Sequence, residues 1–268
     1  MERIQKALEK ASQQRPMQSS YVDYLHSHSV VIDDIAYHET QSIPCNKATL
    51  IKNRVVAAAK NDPRSDIFRI LRTKILQRLR SNNSNVIAIS SPTSNNGKSL
   101  IAVNLAVSIA MDANYSVLLA DFDLRHPSVH EYFGISPEFG LTHYLEEDKP
   151  LSELLINPGI ERLVILPAGQ STHSSSELLS TPKMLALAAE LKHRYPNRIV
   201  VVDLPPLLIS DDALSFAPNV DALVLVVAEG ENTKDEVERS VQLIDPEKFL
   251  GTILNKSADI RPSEYSYY

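Results

Sequence analysis

Two kinds of hydrophobic pattern alternate along most of the chain. Unbroken apolar runs occur at 85–90, 115–121, 162–169, 198–203, 222–227 and 250–255. Helical periodicity separates them, for example at 98–112 and 182–194. Strands that are apolar on both faces are typical of a parallel sheet covered by helices on either side. The alternation therefore predicts an α/β fold with a doubly wound, mainly parallel sheet.

The first part of the chain has a different pattern. Apolar residues recur at helical spacing only in the first dozen residues, at Ile4, Ala7, Leu8 and Ala11. They predict a short amphipathic N-terminal helix, too short to be stable without a docking surface. The stretch from about 12 to 45 lacks periodicity and is typical of a linker. We expect a helix and linker over 1–52, one domain over 53–258 and a tail over 259–268.

Composition limits the kinds of partner. The 268 residues are 43% hydrophobic and carry a net charge of −6, which gives no general reason to expect nucleic-acid binding. Cys45 is the single cysteine, so no internal disulfide can form. No apolar run approaches the roughly 18 residues of a membrane-spanning helix, and the start lacks a secretory signal. We expect a cytoplasmic protein that reaches a membrane only through a partner.

The segment "ISSPTSNNGKSL", residues 89–100, follows a predicted strand and opens a predicted helix. This context distinguishes a nucleotide-phosphate loop (P-loop) from a chance match. Backbone N–H groups at the start of the helix can bind phosphate oxygens, Lys98 can pair with the β/γ-phosphates, and the Ser99 hydroxyl can ligate Mg²⁺. The expected nucleotide-binding residues are Asn95, Asn96, Gly97, Lys98, Ser99 and Leu100.

The loop departs from the strict phosphate-loop pattern. Pro92 stands where a glycine is usual and has no N–H, and Asn95 occupies a second frequent glycine position. Asparagine tolerates positive φ better than most residues, so Asn95 and Asn96 are plausible substitutes. A polar strand-to-helix turn with a capping serine remains the alternative interpretation.

Acidic residues follow two of the predicted strands. Asp121 and Asp123 lie two apart in "VLLADFDLRHP", so both carboxylates point to one side if the extended geometry continues. Such a pair can hold a metal-bound water and accept a hydroxyl proton. Asp203 ends "IVVVD", where phosphate-loop enzymes place an acid near Mg²⁺. Each aspartate alone could be a helix cap or turn residue, but together with the loop after the strand at 85–90 they give three such strand ends in the right order, which makes coincidence improbable.

The chain resembles the bacterial tyrosine kinases of exopolysaccharide and capsule assembly. From about Asn53 to Lys256 the resemblance rests on "NRVVAA", "DPRSDIFRILRTKIL", the loop, "LLADFDLRHPSVHEYFG", "LPAGQSTHSSSELLSTPKM", "VVVDLPPLLISDDAL" and "VDALVLVVAEG". It implies a P-loop NTPase fold that uses ATP and Mg²⁺. It also implies a catalytic set of Lys98, Asp121 and Asp123, and a metal site of Ser99, Asp121 and Asp203.

The same resemblance implies further roles. Asp66, Arg69 and Arg72 match a family signature for ring-like self-association, whereas their spacing alone indicates solvated intrahelical ion pairs. The tyrosines near the end of the chain become the expected phosphoacceptors, the alternative being an aromatic terminus that packs on the domain. Asn255 stands where related ATPases recognise adenine, or is a turn residue. The phosphoacceptor tyrosines are Tyr265, Tyr267 and Tyr268.

Three functions fit these features. The first is an ATP- and Mg²⁺-dependent tyrosine autokinase that regulates polysaccharide chain length, polymerisation and export together with a membrane chain-length determinant. The second is a positioning ATPase, but that group has a lysine early in the loop, where this chain has Thr93. The third is a nucleotide-binding scaffold without phosphate transfer, suggested by the departures in the loop. Iron–sulfur carriers are excluded because they need paired cysteines.

Overall fold

The computed structural model describes residues 40–59, 62–195 and 197–257. The N-terminal helix predicted in the first dozen residues, most of the predicted linker and the three tail tyrosines lie outside these ranges.

Within the described residues, eight strands form a single sheet in the order β1-β4-β5-β3-β6-β2-β7-β8. All neighbouring strands are parallel except β4 and β5, which pair antiparallel through Ile156 and Ile165. The strands are β1 Gln41–Ser42, β2 Val86–Ser90, β3 Ser116–Asp121, β4 Ile156–Asn157, β5 Leu163–Leu166, β6 Arg198–Asp203, β7 Ala222–Ala228 and β8 Phe249–Asn255.

Helices connect the strands on both sides of the sheet. They are α1 Lys47–Lys52, α2 Pro63–Ser81, α3 Lys98–Ala110, α4 Val129–Phe133, α5 Leu141–Glu147, α6 Leu151–Leu154, α7 Ser175–Leu179, α8 Pro182–His193, α9 Asp212–Phe216 and α10 Lys234–Leu243. Short 3₁₀ turns lie at Val56–Ala58 and Ala217–Asn219. None of the described helices combines the length and the apolarity that crossing a membrane requires.

The sheet separates two hydrophobic cores. On one side, α2 and α3 pack over β2, β3 and β7, with Leu79 and Leu105 among the fully enclosed side chains. On the other side, α8 and α9 cover the same sheet through Leu187 and Phe216. Because β2, β3 and β6 are buried on both faces, their sequences contain almost no polar residue before the carboxyl end.

The predicted α/β fold with a doubly wound, mainly parallel sheet is confirmed. The predicted strand at 162–169 is too long, because β5 ends at Leu166 and the carbonyls of Pro167 and Ala168 instead accept N–H groups from the start of α5. Strands β1 and β4 were missed, since two residues are too few to show a periodicity.

The packed domain begins earlier than the predicted boundary at residue 53. Gln41 pairs with Ile156, and Leu50 of α1 is buried in the core. The Asn53 side chain donates to the carbonyl of Glu131 at 2.7 Å. Residues 41–52 therefore pack as part of the domain and do not form a linker.

Candidate active site

The loop between β2 and α3 turns through two residues with positive φ. Asn95 has a φ of 63° and Gly97 a φ of 90°. A left-handed Asn95 is what the sequence led us to expect of an asparagine at a glycine position. Gly97 is the N-cap of α3, and the N–H groups of the first turn are free of intrahelical partners at this point. The loop therefore presents a helix N-terminus suited to phosphate oxygens.

Asn96 stabilises the loop from within. Its side chain is almost fully buried, and its Oδ1 accepts hydrogen bonds from the N–H and the hydroxyl of Thr93, at 3.1 and 3.2 Å. Asn232, four residues after the end of β7, donates from Nδ2 to the Thr93 hydroxyl at 3.0 Å. Among the predicted nucleotide-binding residues, Asn96 therefore uses its side-chain oxygen to hold the shape of the loop. Sequence reasoning missed Asn232, which carries no motif of its own.

Pro92 does not obstruct the loop. Its carbonyl accepts the N–H of Leu208 at 3.1 Å, and the Ser91 carbonyl accepts the N–H of Leu207 at 2.8 Å. These bonds join the loop to the segment after β6. Pro92 thus takes part in this connection through its carbonyl, and the N–H that proline lacks is not needed there.

Lys98 lies at the centre of a buried polar cluster. Its Nζ is 2.8 Å from Oδ2 of Asp123 and 3.4 Å from Oδ1 of Asp203. The Ser99 hydroxyl is 3.3 Å away. Burial alone would lower the pKa of Lys98, but the charges of Asp203 and Asp123 outweigh burial and raise it above its ordinary value. The ammonium is therefore charged, and both acids from separate strand ends lie against it.

Asp121 is directed differently from the sequence prediction. Its Oδ2 accepts the N–H groups of Ser128 and Val129 at 2.9 and 3.0 Å, and its Oδ1 accepts the N–H of Asp123 at 3.2 Å. The shared direction of Asp121 and Asp123 was expected only if the extended geometry continued, and this condition is not met, because the strand ends at Asp121 and the chain then folds back over it. Asp121 holds this loop and the start of α4, and Asp123 reaches Lys98.

Burial shifts the acids of this cluster. Burial, followed by the charge of Asp203, raises the pKa of Asp121 to about 7. Burial also raises the pKa of Asp203, although Lys98 opposes the shift. Asp121, Asp123 and Asp203 all act electrostatically on Lys98, so three buried carboxyl groups face one ammonium.

This surplus of carboxyl groups fits a divalent cation. Carboxylate and hydroxyl oxygens are the ligands that Mg²⁺ prefers, and Ser99 and Asp203 supply one of each beside Lys98. No three His, Cys, Asp or Glu side chains within the described ranges converge as a metal cage made of protein alone. A bound Mg²⁺ would therefore complete its shell with phosphate oxygens and water, as it commonly does.

Asn255 lies directly against the loop. Its Nδ2 donates to the carbonyl of Asn96 at 2.9 Å, and a β-carbon added at Gly97 would lie 2.2 Å from the same nitrogen. The end of β8 thus supports the phosphate loop, whereas the sequence suggested an adenine contact. The supporting contact requires that residue 97 be a glycine.

The predicted self-association residues lie away from this cluster, on α2. Asp66 and Arg69 form an ion pair at 2.5 Å on the exposed surface. Arg72 donates from Nη1 to the carbonyl of Ser108 in α3 at 2.8 Å, so it ties two helices together. The three side chains therefore do not act as one set within this protomer.

A second polar cluster, also missed from the sequence, supports the segment after Asp123. Arg125 Nε lies 2.8 Å from Oδ2 of Asp212, and the Ser175 hydroxyl donates to the same oxygen at 2.7 Å. Asp212 is fully buried at the start of α9. The cluster joins the segment after β3 to the starts of α7 and α9, a contact that no spacing in the sequence predicts.

Comparisons with known proteins agree with this geometry. Residues 87–265 match the family model described as the CobQ/CobB/MinD/ParA nucleotide binding domain. The putative tyrosine-protein kinase CapB of Staphylococcus aureus is 32% identical over 206 residues, which cover 76% of this chain and 89% of CapB. The chain belongs to the bacterial tyrosine kinase family.

Two further members of this tyrosine kinase family show the extent of the match. The tyrosine-protein kinase YwqD of Bacillus subtilis is 30% identical over 226 residues, which cover 83% of this chain and 94% of YwqD. The solved kinase domain of Escherichia coli tyrosine kinase ETK has a TM-score of 0.72 and 28% identity, and the match covers 87% of this chain and 94% of that domain. The loop, the strand-end acids and Asn255 all lie within the fold that this tyrosine kinase shares with its relatives.

Proposed function

We propose that the chain is an ATP- and Mg²⁺-dependent protein-tyrosine kinase whose active site is the cluster around Lys98. The observation that carries this proposal is the convergence of Lys98, Asp123 and Asp203 in one buried cluster beside a helix N-terminus. A positively charged group, a carboxylate and a helix N-terminus together serve phosphoryl transfer, in which catalysis is mostly positioning and charge stabilisation.

Lys98 stabilises the charge that develops on the transferred phosphoryl group. Its ammonium is held by Asp123 and Asp203, and the phosphate oxygens of the nucleotide would compete with these acids for it. The backbone from Asn95 to Leu100 binds the same phosphates through N–H groups at the start of α3. The nucleotide thus takes Lys98 from its acids and frees them for other partners.

Asp123 accepts the proton of the attacking tyrosine. Once Lys98 pairs with phosphate, the Asp123 carboxylate can take the phenolic proton. The tyrosine oxygen bonds to the γ-phosphorus as the bond between the γ-phosphorus and the β-phosphate oxygen breaks. Asp121 supports this step as a positioning residue, because it fixes the N–H of Asp123 and the start of α4.

Ser99 and Asp203 would hold Mg²⁺. The ion would supply neutralisation of the phosphate charge. Asp203 lies at the end of β6, where it is fully buried and close to both Lys98 and Ser99. Asp121 stands behind these ligands, with both of its oxygens on backbone N–H groups.

The acceptors are the tyrosines of the C-terminal tail on a neighbouring copy, within a ring-like homo-oligomer that uses the exposed Asp66–Arg69 pair of α2, a helix that Arg72 anchors to α3. Each phosphate adds about −1.5 to −2 charges. Repeated phosphorylation therefore weakens a ring in which the tail of one copy binds at the active site of its neighbour. The chain works at the inner face of the plasma membrane with a membrane chain-length determinant, and regulates capsule or exopolysaccharide chain length and export. The names of CapB and YwqD support the kinase activity; the polysaccharide role follows from the family resemblance.

ATP binding and phosphotyrosine measured side by side test this proposal. The wild type should bind ATP with Mg²⁺ and gain phosphotyrosine. Lys98→Met should lose phosphotyrosine, and a chain with all three tail tyrosines changed to phenylalanine should bind ATP normally without gaining it. ATP binding with phosphotyrosine that does not depend on Lys98, or no phosphotyrosine at all, would favour the scaffold function.

A further inference from the structure

An apolar groove lies between α2 and β8, and Lys98 is not among its lining residues. It has a volume of about 400 Å³, and its floor is formed by Val224 of β7, Ile75 of α2 and the middle of β8. Gly251 lines the groove and pairs with Val224, and a β-carbon at this position would meet nothing within 4 Å. The space over Gly251 is therefore open to a side chain from elsewhere.

The outer edge of β8 is unprotected. β8 is the last strand in the sheet order of the described residues, and its sequence "FLGTILN" contains neither a charge nor a proline. Edge strands are normally guarded by such residues, because unpaired N–H and C=O groups recruit other strands. Leu254 is 59% exposed on this strand. The edge therefore has the composition of a strand that pairs.

Two N–H groups of β8 point outward. The Asn255 carbonyl accepts the N–H of Glu229, so the backbone of Asn255 faces β7. Backbone direction alternates along a strand. Thr252 and Leu254 consequently direct their N–H groups away from β7, towards an added strand.

We infer that the groove and the β8 edge bind the chain's own C-terminal tail, residues 258–268, as an antiparallel strand. The tail leaves β8 directly after Lys256, whose φ of 59° turns the backbone. Its eleven residues reach about 36 Å when extended, compared with about 23 Å for the seven residues of β8. The length allows a turn and a return along the whole edge.

The side chains of the tail match the groove. Along an extended tail, Tyr265 and Tyr267 share one face. Turned towards α2, this face fills the gap over Gly251 with aromatic rings. At the rim, Lys74 and Arg78 are exposed, and neither forms an ion pair with another described residue. The tail carries two acids against one arginine, so its charge is complementary to this rim.

Docking on the chain's own β8 edge withholds the tyrosines from a neighbouring active site. This consequence rests on the proposed function, but the docking itself does not. Phosphate added to an undocked tyrosine would strengthen its attraction to Lys74 and Arg78. The groove would then bind the tail after its phosphorylation.

Hydrogen exchange on the full-length, phosphatase-treated chain without nucleotide tests the docking, independently of kinase activity. The N–H groups of Thr252 and Leu254 should exchange roughly tenfold or more slowly in the wild type than in a Tyr265→Lys, Tyr267→Lys variant. Tyr268→Lys, on the other face of the tail, is the matched control and should keep the protection.

A second variant checks the groove side. The changes Lys74→Glu and Arg78→Glu, both at exposed positions of α2, should reduce the protection of the Thr252 and Leu254 N–H groups when the tail is wild type. Combined with the Tyr265→Lys, Tyr267→Lys tail, the same two changes should restore the protection. Fast exchange in the wild type, or protection that persists in the two-lysine tail, would overturn the inference. Protection that disappears on dilution would assign the edge to a second copy of the chain and would also overturn it.

Discussion

At Gly97 two constraints coincide, a backbone φ of 90° and a neighbouring amide, that of Asn255, in the place where a β-carbon would lie. The first constraint belongs to the residue itself, since left-handed backbone costs other residues about 1–2 kcal/mol. The second belongs to the loop, because Asn255 uses the same amide to hold the Asn96 carbonyl. The two effects can be separated by substitution.

Gly97→Ala should reduce ATP affinity about tenfold or more, because the added methyl group displaces Asn255 and the loop it supports. Gly230 is the matched control: its φ is 74°, but a β-carbon there would meet nothing within 4 Å. Gly230→Ala should therefore lower the free energy of unfolding by a similar backbone strain of about 1–2 kcal/mol and leave the ATP affinity unchanged. Calorimetric titration of ATP together with urea unfolding measures both effects.

A Gly97→Ala, Asn255→Ala double variant removes the clash and leaves the strain. If steric contact is the main cause, the double variant should bind ATP no more weakly than Asn255→Ala alone. Equal ATP affinity for the wild type and Gly97→Ala would show that the contact does not shape the loop.

At the level of elements, the start of β2 depends on one carboxylate. Asp221 Oδ2 accepts the N–H groups of Asn85 and Val86 at 3.0 and 3.1 Å, and Lys192 of α8 pairs with the other oxygen. Burial alone would raise the pKa of Asp221, but hydrogen bonds from Lys192 and the two N–H groups lower it below its ordinary value. Asp221 therefore links β2, the strand that leads into the phosphate loop, to α8, which covers the side of the sheet away from α2 and α3.

Asp221→Asn should lower the free energy of unfolding by about 1–2 kcal/mol at pH 7, through weaker hydrogen bonds to two backbone groups. Since the folded pKa lies below the unfolded value of about 3.9, the stabilisation is complete above that value and is lost as the pH falls through the folded pKa. The difference between wild type and variant should therefore shrink below about pH 4. Urea unfolding from pH 7 to pH 3 measures it.

Asp235→Asn serves as the control for Asp221→Asn, because Asp235 pairs with Arg239 on the exposed surface. Its effect should be small at every pH. A constant difference between wild type and Asp221→Asn down to pH 3 would contradict the assigned pKa direction.

Elements also show how far the sequence could predict the structure. Strands such as β6 and β7 were predictable because burial on both faces leaves continuous apolar runs. The same runs placed Lys98, Asp123 and Asp203 at one edge of the sheet. The direction of Asp121 was not predictable, because it depends on the chain folding back after β3. The support of the loop by Asn232 and Asn255 joins segments far apart in sequence, and no local pattern encodes it.

At the level of the whole molecule, α2 contributes differently to stability and to assembly. The Asp66–Arg69 pair is exposed, and such pairs add little to folding. Arg72 bonds the Ser108 carbonyl and so joins α2 to α3. Stability should therefore depend on Arg72, and self-association on the exposed pair.

Asp66→Ala with Arg69→Ala should leave the free energy of unfolding within about 0.5 kcal/mol of wild type and reduce the oligomer size. Arg72→Ala should lower stability by about 1 kcal/mol, through the loss of a charged hydrogen bond to a carbonyl. Light scattering during gel filtration and urea unfolding separate the two effects. An unchanged oligomer in the double variant would remove the exposed pair from the assembly surface.

Phosphoryl transfer at the cluster around Lys98 can be tested by intact-mass spectrometry of mixed variants. A Lys98→Met chain keeps its tail tyrosines but should not transfer phosphate, and a chain with three tail phenylalanines should transfer phosphate but not accept it there. Incubated together with ATP and Mg²⁺, the Lys98→Met chain should gain phosphates that it does not gain alone. If the Lys98→Met chain gains phosphate alone, or if no chain gains it under any condition, the assignment of phosphoryl transfer to Lys98, Asp123 and Asp203 is wrong.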